Sequence, residues 1–360
     1  MKYEDFKEQF VQAVKDKLAD AGETVKISLN EVQKINESYE SMTITPKDAN
    51  IGVNVNIEKF HEAHEDGQPF DKIVDKAVEV IHQGLEQKPK FEVEALTDYS
   101  QMKDMLVMEI VSAESNKEML ETIPHQNIED MAVVYRFMLN SDENGRATVL
   151  VTNNMLETMG VTPEQLHADA MENAPRLKPM EIKGMNEVLV EIVGVEQATM
   201  LGVYPIEPEE ERMYVASVPD KIQGAGVLAY QDFMDKAAER AGGDFFLIPS
   251  SIHELLIVPD NGQTTPMNLK ELEAMVKEIN ETQVAPADRL TDSVYHYDSK
   301  EKIFELGEKY VERQSQKEAS VERSEKTSVR GELKAKKEEA AKAPKKEPAA
   351  KAKAKGDEAI

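Results

Sequence analysis

The sequence predicts an α+β fold in which antiparallel β-hairpins pack against helices. Three observations carry that expectation. Short apolar segments alternate with polar residues at a period of two, and they come in pairs joined by turn residues. Between the pairs lie stretches whose apolar residues recur three and four apart, the spacing of one helix face. The order β-α-β-β-α occurs twice, in residues 101–186 and again in 187–310, after an N-terminal module of residues 1–100 and before a distinct tail of 311–360.

In the N-terminal module, Phe6, Phe10, Val14 and Leu18 stand four apart and predict an amphipathic helix that Gly22 stops. Alternation over Val25–Leu29, Ser41–Thr45 and Val53–Ile57 predicts three half-exposed strands. Pro69 opens a second helix carrying Phe70, Ile73, Val74, Ala77, Val78 and Ile81 and ending at Gly84. The module reads α-β-β-β-α.

The middle module begins with a strand over Met105–Val111 and a short polar helix near Lys117–Glu121. Met131–Leu139 and Ala147–Val151 read as strands joined by a turn at Asn144-Gly145, a pair suited to positive φ. Thr162-Pro-Glu-Gln165 is a capping box with Pro at the first helical position, starting a helix to about Asn173 that Pro175 and Pro179 terminate. Glu187–Val195 reads as a further strand leading into Met200–Tyr204.

The second β-α-β-β-α segment has a strand at Met213–Val218 and a helix over Ala225–Ala241, stopped by Gly242-Gly243. A hairpin over Asp244–Asp260 follows, and then a helix capped by Asn268 that carries Leu269, Leu272, Val276 and Ile279. No residue identity links the two segments, so they share an order of elements, with duplication as the alternative. Beyond Tyr310 the composition turns to Lys, Ala, Glu, Ser and Arg. Few large apolar side chains remain to offset ordering entropy, so a disordered or transiently helical tail is expected.

The chain carries 43 Lys+Arg against 69 Asp+Glu, a net charge of −26. The tail of 311–360 has 14 basic and 10 acidic residues, so the preceding 310 residues are more acidic still. Such a body repels a phosphate backbone, which disfavours nucleic acid as its ligand and leaves at most a weak contact by the tail. Solubility, cations or basic proteins fit the charge better. No run approaches the roughly 18 apolar residues of a membrane span. An acidic N-terminal segment without an apolar leader points to the cytoplasm. The absence of cysteine excludes disulfides, thiolate metal sites and cysteine nucleophiles.

The hairpin tip holds the densest candidate chemistry. A hydrolase would use Ser250 or Ser251 as nucleophile, His253 as base, and Glu254 or Asp244 as the orienting acid. Against this, residues so near in sequence rarely reach nucleophile-base geometry, and no Gly-x-Ser-x-Gly elbow is present. Turn chemistry is the favoured reading. His61 and His64, with Glu65 and Asp66, stand at i and i+3, where the zinc-protease helix needs i and i+4. Tyr295-His-Tyr-Asp298, following Asp288 and Asp292, reads as an anchor of the last folded segment. Twelve of 18 methionines fall between Met102 and Met200, which suits a core better than an adaptable groove. No phosphate-binding loop or dinucleotide fingerprint occurs, so no cofactor and no metal are expected.

Several phrases together resemble an uncharacterised bacterial family, domain of unknown function 5688. They are Asn153-Asn-Met-Leu-Glu with Gly160-Val-Thr, Asn173-Ala-Pro-Arg-Leu177, Gly224-Ala-Gly-Val-Leu-Ala-Tyr230, Asp244–Asp260, Thr282-Gln-Val-Ala-Pro286 and Asp292–Asp298. The resemblance spans about residues 1–300. It implies an accessory gene of gut-type bacteria, sometimes carried on mobile elements, and no established activity.

These readings favour a non-catalytic interaction or accessory protein that meets a protein partner or itself. The alternatives are a hydrolase at Ser250, Ser251, His253 and Glu254, and an acidic mimic of nucleic acid.

Overall fold

A computed structural model describes residues 1–47, 52–86, 97–142, 145–204, 211–262, 266–317 and 319–320, with only the backbone at 140–142, 145–146 and 266. Asn144 of the expected turn, and the expected tail at Glu318 and beyond Ser320, lie outside the described residues. The chain divides into Met1–Gly307 and Glu308–Ile360. In the second unit, 308–317 is helical, which includes the first residues of the expected tail.

Helix α1 (Tyr3–Asp20) buries all four residues of its predicted face, Phe6, Phe10, Val14 and Leu18. Strands β1 (Val25–Lys34), β2 (Glu37–Pro46) and β3 (Val53–Asn56) form an antiparallel sheet in the order β1-β2-β3. The β1–β2 ladder runs past the alternating segments to Lys34↔Glu37, closed by Ile35-Asn36 with Asn36 at φ 59°. An unpredicted helix α2 (Ile57–Glu65) follows, capped where the Asn56 side chain accepts the Lys59 N–H. Helix α3 (Phe70–Glu86) runs past Gly84, its expected end. A Cβ at Gly84 would stand 2.9 Å from the Val53 side chain, so this glycine permits close packing on β3 and does not turn the chain. One cluster, including Phe6, Phe10, Ile44, Ile57 and Ile81, holds the module together.

In the middle, α4 (Tyr99–Met102) leads into β4 (Leu106–Ser112), α5 (Lys117–Leu120), β5 (His125–Ile128), β6 (Met131–Asp142) and β7 (Gly145–Leu150). Strand β6 lies between β4 on one side and β5 and β7 on the other. Helices α6 (Asn153–Met159) and α7 (Pro163–Leu177) follow. The predicted order is present in β4, α5, β6, β7 and α7, with β5 and α6 interposed. Thr162 caps α7 as expected, its Oγ1 accepting the Gln165 N–H at 3.2 Å. The helix nevertheless runs through Pro175. Only its last residues follow that proline, and partners outside the helix hold them: the Tyr230 hydroxyl donates to the Lys178 carbonyl at 2.8 Å, and Arg176 Nη2 donates to the Asp104 carbonyl at 3.1 Å.

The third segment opens with β8 (Glu181–Gly184), then α8 (Met185–Val193) and α9 (Val195–Met200). The strand expected over Glu187–Val195 is therefore a helix. Its β-branched residues favour a strand locally, but Gly184 and Gly194 bracket one short helix, and Glu191 pairs with Lys183 at 2.7 Å across the β8–α8 corner. Strand β9 (Tyr214–Ser217) precedes a 3₁₀ stretch (Gly224–Ala229) and α10 (Phe233–Ala241), where one continuous helix was expected. The break falls at Tyr230, which is extended. A Cβ at Gly226 would lie 2.3 Å from the Met108 carbonyl oxygen, so the 3₁₀ backbone sits directly on β4.

The predicted hairpin is present as β10 (Phe245–Ser251) and β11 (Glu254–Pro259), followed by α11 (Pro266–Gln283), β12 (Tyr295–Asp298) and β13 (Ile303–Leu306). They build a six-stranded antiparallel sheet in the order β13-β12-β10-β11-β9-β8. A single large core joins it to the β4–β7 sheet, with Met108, Tyr135, Phe137 and Leu166 packed among the same cluster as Phe245, Leu247, Leu255 and Tyr295. Side chains of this size each contribute about 1.5–3 kcal/mol on full burial. The opposite face of β4 and β6 carries a smaller cluster in which Ile35, from the β1–β2 turn, joins Val111, Leu120, Ile123 and Val134.

Candidate functional site

The hairpin tip is built as a plug. Strand β10 continues through Pro249, Ser250 and Ser251, with a register shift between Pro249 and Ser251, and Ile252-His253 makes the turn. Ile252 is buried, its N–H donating to the Asp288 carbonyl at 2.9 Å and its carbonyl accepting the Ala225 N–H at 3.1 Å. Ser251 Oγ accepts the His253 N–H at 3.0 Å, and Ser217 Oγ donates to the His253 carbonyl at 2.7 Å. The turn is thus held by main-chain partners from two other segments.

The His253 ring takes part in the same lattice. Its Nδ1 accepts the Gln223 N–H at 3.2 Å, so that nitrogen presents its lone pair to the backbone. Its Nε2 stands 3.4 Å from Asp288 Oδ1. Gln223 holds a left-handed conformation at φ 56°, as does Lys221 at 54°, so the loop after β9 is bent to bring this N–H to the ring. Among the described residues the ring meets Gln223 and Asp288, and the Ser251 hydroxyl meets the backbone. Ser250 and Glu254 are half-buried beside the turn. Asp244 lies at the far end of the hairpin, where its Oδ1 accepts the N–H and hydroxyl of Ser299 at 2.8 and 2.6 Å. The arrangement has the partners of a folded turn and brings no serine hydroxyl to a histidine nitrogen, the contact that nucleophile activation requires.

His61 and His64 both lie on α2 and pack on the Phe6 ring, with ring centroids 5.0 and 5.6 Å away. His61 Nε2 donates to the Met1 carbonyl at 3.0 Å, and His64 Nδ1 donates to the Gln68 carbonyl at 3.3 Å. No group of three or more His, Cys, Asp or Glu is placed to hold a metal among the described residues. Tyr295 to Asp298 form β12, all buried. There the Tyr295 hydroxyl donates to Asp130, which also accepts Thr291 Oγ1 and Ser293 Oγ at 2.9 and 2.8 Å. Burial, reinforced by this carboxylate, pushes the Tyr295 phenol well above its ordinary range. His296 Nε2 donates to Asp260 Oδ2 at 3.2 Å. The Asp130 bonds tie this segment to the β5–β6 turn, and His296 ties it to the end of β11.

Two surface clefts are lined by other residues. One, of about 500 Å³, lies beside Tyr99, Lys103, Gln165 and Asp169, with the Tyr99 hydroxyl donating to Asp169 at 2.7 Å. The other, of about 360 Å³, lies between the β1–β2 turn and α5. There Asn36 and Asn116 exchange two hydrogen bonds, the Asn36 N–H donating to Asn116 Oδ1 at 2.8 Å and Asn116 Nδ2 donating to Asn36 Oδ1 at 2.7 Å.

The strongest surface feature was not read from the sequence. Ile192, Val195, Met200, Leu201 and Tyr204 on and after α8 and α9 are 54–79% exposed, while only Val188 and Ala198 of these two helices are buried. Five large apolar side chains within thirteen residues form an apolar ridge, a feature that marks interaction surfaces when contiguous. Read as a strand, the same residues alternate into a core. Gly184 and Gly194 with Glu187 and Glu191 four apart signal the helix in the sequence, but not the exposure of its apolar side chains.

No helix among the described residues is long and apolar enough to cross a membrane. No curated protein and no solved structure matches the chain. A family model does, described as a family of unknown function (DUF5688), over residues 3–299.

Proposed function

Starting from the fact that the chain belongs to the family of unknown function DUF5688, we propose that it is a non-catalytic interaction protein working through the α8–α9 ridge. One observation carries this reading: Ile192, Val195, Met200, Leu201 and Tyr204 place more exposed apolar side chains within thirteen residues than the described residues show elsewhere, α11 with Met267, Met275 and Ile279 coming next. Leaving such side chains in water forfeits about 25 cal/mol per Å² of apolar surface, which a bound partner recovers. The hairpin tip supports it from the other side, since His253 and Ser251 are occupied in holding a turn.

Site-specific photocrosslinking tests the reading. A photoreactive residue at Ile192 or Leu201, in cells producing the protein, is expected to trap a discrete protein adduct, whether a different chain or a second copy. The same residue at Glu8, exposed on α1, serves as the control. Equal yields from ridge and control positions would sink the proposal.

A further inference from the structure

Resting on that reading, we infer that the ridge receives a basic amphipathic helix of another protein. Among the described residues between Gly184 and Arg212 are four glutamates, at 187, 191, 196 and 211, and no Lys, Arg or His, while Lys183 and Lys221 act on Glu191 from outside this stretch. Some of that charge is already engaged: Glu191 pairs with Lys183, and Glu211 accepts the N–H groups of Asn186 and Arg212. Glu187 and Glu196 are exposed on α8 and α9 themselves, beside the apolar residues. The ridge therefore joins large apolar side chains to carboxylates within two short helices.

That combination selects among occupants. A second copy would set the same glutamates against each other, and an anionic lipid surface would be repelled likewise. A wholly apolar partner would strip water from the carboxylates without replacing it. A segment with an apolar stripe flanked by Lys or Arg meets both demands. The occupant is a helix because an amphipathic helix presents an apolar stripe at i, i+3, i+4 and i+7 with cations along its flanks and its own backbone paired. The chain's own tail does not fit. From Lys334 to Lys355 it contains only Lys, Ala, Glu and Pro, and so brings charge without large apolar side chains.

The test uses the full chain and a labelled synthetic peptide, with Leu at helical spacing and Lys elsewhere, read by fluorescence anisotropy. Two further peptides serve as controls, one with Ala replacing Leu and one with Glu replacing Lys. We expect the Leu/Lys peptide to bind. Its affinity should fall at least about tenfold both in Met200→Ser/Leu201→Ser and in Glu187→Lys/Glu196→Lys. Glu8→Lys/Asp16→Lys, an equal charge change on α1, should leave it unaltered. Equal binding of the Ala/Lys peptide, or equal weakening by the α1 variant, would reduce the effect to net charge and overturn the inference. So would no binding of any peptide. Concentration-dependent self-association, or binding to phosphatidylglycerol vesicles, that is lost in Met200→Ser/Leu201→Ser would also overturn it. Either of these last two results would keep the ridge as the contact surface, so they separate this inference from the reading beneath it.

Discussion

Asn36 fastens the N-terminal sheet to the rest of the first unit, and removing its side chain should be among the costlier changes at a half-exposed position. Its Nδ2 donates to the carbonyls of Ala287 and Arg289 at 3.0 and 2.6 Å, and its Oδ1 accepts Asn116 Nδ2 at 2.7 Å. Asn116 is 3% exposed and also donates to the Ser112 carbonyl, so it has little access to replacement water. Each lost bond is worth about 0.5–1.5 kcal/mol net. The Ala287 contact lies at the low end because that residue is exposed. Asn36 also sits at φ 59°, where alanine costs roughly 1 kcal/mol more than glycine. Asn36→Ala should therefore destabilise by roughly 2–4 kcal/mol, and Asn36→Gly by about 1 kcal/mol less. Urea unfolding measures both values. Hydrogen exchange over 112–120 and 286–290 should speed up in each variant, because those segments lose the clamp. A neutral Asn36→Gly would refute the hydrogen-bond argument, and equal effects of Ala and Gly would refute the conformational one.

Two further outcomes follow from buried groups. Glu109 accepts Arg136 Nε at 2.7 Å in a pair whose carboxylate is 6% exposed, so Glu109→Ala should cost about 3 kcal/mol by stranding the guanidinium. Glu109→Leu/Arg136→Met should recover most of that loss in the same unfolding assay, and a silent single variant would refute the pairing argument. His167 meets the Tyr135 hydroxyl through Nδ1 at 2.9 Å, and burial holds its pKa below the ordinary 6.5. Its neutral form is the native one, so its contribution to stability is complete above about pH 6.5 and is lost as pH falls through the lowered native value. Urea unfolding at pH 7 and pH 5 should show that component in the natural chain and not in His167→Gln. Parallel losses in the two proteins would refute it.

Much of the fold could be read residue by residue. The α1 face, the three N-terminal strands, the β6–β7 and β10–β11 pairs and the Thr162 cap each depend on patterns within a short stretch of chain, and each is present. Errors fall where distant partners compete with local preference. Glu187–Val195 is rich in β-branched residues yet helical, and α3 passes Gly84 because Val53 needs the space of a missing side chain. The four-residue strands β5, β8, β12 and β13 carry too little apolar alternation to stand apart from loops, whereas β3 and β9, equally short, lie within the clearer runs Val53–Ile57 and Met213–Val218.

The candidate chemistry divides in the same way. Pairing of the two apolar runs around Ser250, Ser251, His253 and Glu254 into a hairpin is local physics, and so is the acidity of the body. What those polar groups do depends on Gln223, 30 positions from His253, and on Asp288, which meets the tip from a different element. The ridge on α8 and α9 is likewise invisible to pattern alone, since exposure is a property of what fails to cover a side chain. Composition and short-range spacing set most of the elements, and tertiary partners decide the rest, as at Glu187–Val195. The occupancy of His253, the fastening of Asn36 and the exposure of Ile192 and Leu201 come from packing between segments that the chain order keeps far apart.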